Sequence, residues 1–256
     1  MKHRKYTGDI LKSATSGTYL DTRLKINAKY STNDLISWQK SKIKFKKNSK
    51  VLDIGCGNGA QSVFIFNKLS KLGHLTSIDY SQKSILTLKK KIKSSNFFCK
   101  KIDMDNFKGY MNGKYDLIHS SYAIYYSAKP KILLNQCYKS LEKDGKLILT
   151  VPCFPHTLVE LANSINNVPL NVIQSLDFYK QIITPFIKKK FSKIKIHRFK
   201  NLLKISDKKD FEKIYKATTY YNKKSELKIM NKFQHSVKKY GYFKIEKNAK
   251  MIICTK

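Results

Sequence analysis

Three glycines at every second position, Gly55, Gly57 and Gly59, follow a short apolar run carrying an acid, Asp53, in the stretch VLDIGCGNGA. Glycine has no Cβ to hold a ligand away from the backbone and tolerates positive φ, so a strand that ends this way and turns into a helix presents bare peptide to a bound molecule. Three such residues exceed what one turn needs. Two more acids close the next β-like runs, Asp79 in HLTSID and Asp103 in KKIDMD, with Asp105 as a second candidate in the latter. A carboxylate accepts in parallel through its two oxygens and therefore suits a vicinal diol. A dinucleotide would call for G-x-G-x-x-G, and the spacing here is G-x-G-x-G.

The elements that must carry these residues alternate from Lys50 onward. KVLDIG, HLTSID, NFFCKKID, YDLIHSSY and GKLILTVP read as five strands, the fifth entered through an Asp144-Gly145 turn, and helical patterns separate them over 60–72, SQKSILTLKKKIKS and 129–142. That alternation is the signature of a doubly wound, mostly parallel α/β sheet. Beyond Pro152 a proline-bearing stretch reads as a helical insertion that covers the carboxyl edge of the sheet. KIKIHRFKNLLKI reads as a sixth strand, 207–239 as helices with Ser206 or Asp207 as N-cap, and GYFKIEKNAKMIICTK as a terminal hairpin or long strand. Residues 1–49 are polar and helix-capable, with Leu35, Ile36, Trp38 and Ile43 available to pack on the sheet or over a site.

Composition narrows the classes. The 256 residues suit one α/β domain with an elaboration, and no run approaches the roughly 20 apolar residues of a bilayer span. The amino-terminal stretch lacks an apolar signal core, and five cysteines without a C-x-x-C pair argue against a zinc site or disulfide framework, so the expectation is a cytoplasmic chain with reduced thiols and no metal. The formal charge of +35 comes from 49 lysines against 3 arginines, Arg4, Arg23 and Arg198. Dispersed lysines beside abundant Ile and Asn fit AT-rich codons, whereas dedicated phosphate readers favour the arginine fork. Weak, salt-sensitive binding to polyanions is expected on either reading.

On these motifs the chain resembles the class I (Rossmann-like) S-adenosylmethionine-dependent methyltransferases, of the small-molecule type. VLDIGCGNG matches the family's first motif, and the likeness runs over about residues 45–152. The resemblance implies a seven-stranded sheet and S-adenosyl-L-methionine as cofactor. Asp53, Gly55, Cys56, Gly57, Asn58 and Gly59 would then form the first cofactor-binding segment, Asp53 reaching the amino group through water or loop amides. Asp79 would receive the ribose hydroxyls, with Tyr80 beside it, and Asp103 the adenine amino group, with Met104 against the ring. The methionine portion would pass near Ser120, Ser121 and Tyr122. The implied organisation is one methyltransferase domain: an N-terminal helical cap over 1–49, the cofactor-binding core over 50–152, a helical insertion or lid over 153–190, and strands and helices completing the sheet over 191–256.

Methyl transfer from a sulfonium leaves a neutral thioether, so alignment and water exclusion matter most and a base is optional. Tyr126, at a position that resemblance often gives to histidine, and Tyr122 are the catalytic candidates; His119, Tyr125 and His156 are further ones, with His119 inside the apolar pattern of a strand. SSYA after the fourth strand lacks the D-P-P-Y-type motif of enzymes that methylate amino groups of nucleic-acid bases. Cys153 in VPCF lacks the companion Pro-Cys of a cytosine C5 enzyme and reads as packing. The expected acceptor is a small organic molecule methylated on O or N. An RNA methyltransferase using the basic surface and a non-catalytic cofactor-binding partner subunit are the alternatives. Tyr30, Trp38, Tyr126, Phe154, Tyr179, Tyr220 and Tyr221 are candidates to line an acceptor pocket.

Overall fold

A computed structural model describes residues 13, 16–109 and 113–256; the signal-sequence reading of the first residues falls largely outside them. Five parallel strands, β1 (Lys50–Ile54), β2 (His74–Asp79), β3 (Phe97–Lys101), β4 (Tyr115–Ser121) and β5 (Leu141–His156), stand in the order β3-β2-β1-β4-β5. The last strand, β8 (Phe243–Thr255), inserts antiparallel between β5 and β6 (Lys193–Phe199). The path thus holds seven strands, and β7 (Leu202–Ile205) adds an eighth by pairing with the first residues of β8.

Strands buried on both faces read as near-continuous apolar runs, and the period of two sorts their side chains into two layers. Val51, Leu75, Leu117, Ile148 and Met251 face α2 (Leu35–Lys42), α3 (Ala60–Phe66) and α4 (Gln82–Lys91), whose Ile65, Ile85 and Leu88 complete that layer. Leu52, Ile54, Ile118, Leu147 and Leu149 face the other way, onto Leu133, Leu134 and Cys137 of α5 (Pro130–Ser140).

After β5 come α6 (Thr157–Ile165), α7 (Leu170–Phe178), a single π-helical turn (Tyr179–Ile183) and α8 (Thr184–Lys190). Only part of this insertion lies over the carboxyl edge. Phe178, Ile183, Ile187 and Phe191 belong to the α5 layer and cover the sheet's own face. Leu158, Val159 and Ala162 of α6 instead join a third cluster with Ile26 of α1 (Gly17–Tyr30), Phe211 and Tyr215 of α9 (Lys208–Lys216), Phe233 of α10 (Lys223–Tyr240), and Leu203, Phe243 and Ile245. The long strands β5 and β8 run past the edge of the sheet and hold this second core above it. The aromatic stack of Phe211 and Phe233, with centroids 4.3 Å apart, lies at its centre.

The expected single sixth strand is broken in two. Asn201 donates its N–H to Asn248 Oδ1 at 3.1 Å and its side-chain amide to Ser31 Oγ at 3.0 Å, which turns the chain between β6 and β7. The terminal segment is one long strand and makes no hairpin. The helix expected over 60–72 stops at Phe66, with Asn67 as its C-cap, and Asp207 is the N-cap of α9, accepting from Asp210 N at 2.8 Å. No helix among the described residues is long and apolar enough to cross a membrane, and all five cysteines are free and buried.

Candidate active site

All three glycines of the loop after β1 have positive φ: +72° at Gly55, +53° at Gly57 and +86° at Gly59. Each is glycine for a local reason. A Cβ on Gly55 would lie 2.1 Å from Cβ of Ala123, in the segment that follows β4, and one on Gly59 would lie 2.4 Å from Cδ1 of Leu88 on α4. At Gly57 the nearest heavy atom would be Leu20 Cδ2, 3.4 Å away on α1. The outer and inner glycines let neighbouring elements close in, while Gly57 keeps peptide bare beneath α1.

Asp79, at the end of β2, ties this loop to the next. Its Oδ2 accepts from Gly57 N and its Oδ1 from Ser81 N, both at 2.8 Å. Ser81 is the N-cap of α4, so Asp79 is free of that duty. Burial pushes the Asp79 carboxyl above its ordinary value, and the two N–H donors oppose that shift. A carboxylate so placed still has lone pairs for two hydroxyl donors, which would compensate its desolvation. At the end of β3, Asp103 Oδ1 accepts from Asp105 N at 2.9 Å, and Oδ2 has no partner among the described residues. Asp105 is engaged elsewhere: it accepts from Ser127 Oγ, and from Ala128 N at 2.8 Å, and so serves the start of α5. Met104 brings its methyl to 3.9 Å from the position a Gly55 Cβ would take. Gly57, Asp79, Asp103 and Met104 thus gather where the adjacent parallel strands β1, β2 and β3 end, a grouping that could hold an adenosyl group, with Asn58 and exposed Tyr80 next to it in the chain.

Four expected ligands are placed differently. Asp53 is 1% exposed, and its carboxylate turns beneath the loop to accept from Ser62 Oγ at 2.5 Å and meet His119 Nδ1 at 2.8 Å. It neither lines the cleft nor takes a loop amide. Ser77, Asp53 and His119 are in register across β2, β1 and β4, and Ser77 Oγ donates to Ser62 Oγ at 3.1 Å. This buried polar row supports the loop from below. The side chain of Cys56 packs in the α2–α4 layer and its N–H goes to Ile78 O at 3.1 Å. Ser120 is buried and donates to Ile54 O at 2.9 Å. Ser121 is held by Gln39 of α2, whose Nε2 donates to its Oγ at 2.6 Å, while Gln61 donates to Gln39 Oε1. That α2–α3–β4 chain of amides escaped the sequence reading, because nothing in the spacing of Gln39 and Gln61 marks them.

The catalytic candidates separate as well. Tyr122 follows β4 with φ of +54°, and its N–H donates to Thr150 O at 2.8 Å. Burial pushes its phenol far above the usual value, so it stays protonated at neutral pH and can donate a hydrogen bond but cannot serve as a base. Tyr126 packs on Tyr125, centroids 4.6 Å apart, against the α5 layer. Burial likewise raises the Cys153 thiol, which removes it as a nucleophile. No group of three or more His, Cys, Asp or Glu among the described residues is placed to hold a metal.

His156, at the end of β5, is 8% exposed, and its Nδ1 has no hydrogen-bond partner among the described residues. Burial, then the charge of Lys247, lowers its pKa to about 3. A histidine that is neutral when folded but protonates near pH 6.5 when unfolded favours the folded state fully above pH 6.5 and progressively less below it. Between pH 7 and pH 5 the wild type should lose about 2 kcal/mol that a His156→Leu variant does not lose. Urea denaturation at the two pH values reads this difference.

A methyltransferase-domain family matches residues 45–219 of this chain. The chain belongs to that family, the class I S-adenosylmethionine-dependent methyltransferases. Phosphoethanolamine N-methyltransferase of Plasmodium falciparum is 30% identical over 115 residues, 44% of this chain and 42% of that protein. Ribosomal RNA small subunit methyltransferase C of Buchnera aphidicola is 31% identical over 162 residues, 60% of this chain and 41% of that one. The chain thus spans about two fifths of the length of these curated relatives. Among solved structures, the YcgJ protein of Bacillus subtilis superposes with a TM-score of 0.62 at 13% identity, over 86% of this chain and 97% of that one. The MccD protein superposes at 0.54 with 16% identity, over 86% and 96%. Both share the methyltransferase fold described above.

Proposed function

We propose that this methyltransferase moves a methyl group from S-adenosyl-L-methionine to an O or N atom of a small organic acceptor. The observation behind this reading is the cover. Helices α1, α6, α9 and α10 form a core of their own above the carboxyl edge, and His156 and Tyr220 are buried there with their rings edge-on. A base within a folded RNA would need an open approach to that edge.

In this account Gly57, Asn58, Asp79, Asp103 and Met104 hold the cofactor, Leu20 closes over it, and Gln39 with Ser121 fixes the end of β4. When bound, the cofactor would supply a methyl made electrophilic by its sulfonium: the methyl would pass to a lone pair on the acceptor's N or O, sulfur would keep the electrons of the bond it loses, and the acceptor's proton would pass to bulk solvent. The chain's contribution is alignment and exclusion of water, because an amine that arrives neutral needs no base. Tyr122 can orient the acceptor by donating a hydrogen bond.

The charge of +35, and a relative named for ribosomal RNA, favour RNA as the second reading. Transfer of tritiated methyl from labelled cofactor into fractionated cell extract separates the two. The expected label is in the low-molecular-weight fraction; label confined to nuclease-sensitive material would make this an RNA methyltransferase.

A further inference from the structure

Between α1 and the facing ends of β5 and β8, positive charge stands without a counter-charge among the described residues. Arg23 lies one turn beyond Leu20 on α1, and among the described residues its guanidinium uses a single donor, Nη1 to Ala217 O at 2.6 Å. Lys247, opposite His156 in the β5–β8 register, is half-buried, and its ammonium has no partner among the described residues. Burial and the charge of Arg23 together bring its pKa down to about 8. The Tyr220 ring stands edge-on to His156, centroids 6.5 Å apart, and backs onto a cavity of about 640 Å³ that Tyr19, Asn166 and Tyr221 also line.

The carboxylates of the neighbouring elements are turned elsewhere. Glu160 is exposed and accepts from the His156 backbone N–H at 3.5 Å; Glu246 pairs with Lys244 at 3.1 Å, and Asp210 with Lys29 at 2.7 Å. Two half-buried cations facing no acid, beside a buried imidazole nitrogen without a partner, cost stability in the empty protein. Such groups are made good by an anion that brings its own oxygens.

We infer that the methyl acceptor carries an anionic group, a phosphate or a carboxylate, and that this group seats between Arg23, Lys247 and His156. The inference deepens the small-acceptor reading and rests on it for the identity of the ligand. His156 closes β5, and Arg23 stands one turn beyond Leu20, whose Cδ2 faces Gly57, so the seat would hold the acceptor's tail while the reacting atom points back to the glycine loop.

Melting temperatures with S-adenosylhomocysteine present, measured against inorganic phosphate or acetate at constant ionic strength with chloride as reference, test the seat directly. A saturable rise with either ion is expected, the stronger ion naming the group, and Lys247→Gln should weaken its apparent affinity about tenfold. Because that substitution removes an unpaired cation, the variant should melt no lower than wild type without added anion. No rise beyond chloride, or a rise unchanged in Lys247→Gln, would overturn the inference. So would an equal loss of S-adenosylhomocysteine affinity in the variant, which would assign the cations to the cofactor. The proposed reaction fails separately: a protein that binds the anion in this way yet transfers no label would keep the seat and lose the reaction.

Discussion

Gly55→Ala should destabilise the protein by about 3 kcal/mol, combining the strain of a positive φ on a residue with a Cβ and a steric overlap that no side-chain rotation relieves. The added methyl would sit 2.1 Å from Ala123 Cβ, and both atoms are fixed to backbone. Gly241, the C-cap of α10, separates the two contributions. Its φ is +78°, but nothing lies within 4 Å of the Cβ it would gain. Gly241→Ala should therefore cost only about 1 kcal/mol, from strain alone. Urea unfolding of both variants reads the difference, and equal losses would mean that the close approach of the segments after β1 and β4 is absent.

The second large effect concerns the polar row beneath the loop. His119→Leu should cost about 3 kcal/mol, because it leaves one oxygen of a carboxylate that is 1% exposed without a partner. Asp53→Leu should be similarly damaging, since it leaves the Ser62 hydroxyl without an acceptor and His119 Nδ1 without a partner. The double variant Asp53→Leu, His119→Leu should cost clearly less than the sum of the two, because residues in one hydrogen-bonded network couple strongly. Additive losses in that cycle would show that the two side chains do not interact. The row also explains how Asp53 can matter to the cleft without touching it. It fixes where β1 ends, and thereby where Gly57 presents its peptide.

Much of this architecture could be read from the residues. The first five strands follow from apolar runs with turn residues at their ends, and Asp79 and Asp103 fall where the strand ends put them. What could not be read depends on contacts between distant segments. Asp53 looks like a ligand in sequence, and only its register opposite Ser77 and His119 shows that it faces inward. The break at Lys200–Asn201 carries no glycine or proline; Asn248 and Ser31, 47 and 170 residues away, make the turn. The insertion after β5 looks like a lid as a whole, yet Phe178 and Ile187 pack onto the sheet, a division set by which apolar face each helix turns inward. Arg23, Lys247 and His156 are spread over the whole chain and carry no motif.

The central claim is that the cleft between the glycine loop and the ends of β2 and β3 holds S-adenosyl-L-methionine. Calorimetric titration of S-adenosylhomocysteine into the wild type and into Asp79→Ala tests it most directly. Saturable one-to-one binding is predicted for the wild type, weakened by about 1–3 kcal/mol in the variant through loss of hydrogen bonds to a charged acceptor. Absence of binding to the wild type, or equal affinity in the two proteins, would contradict the account.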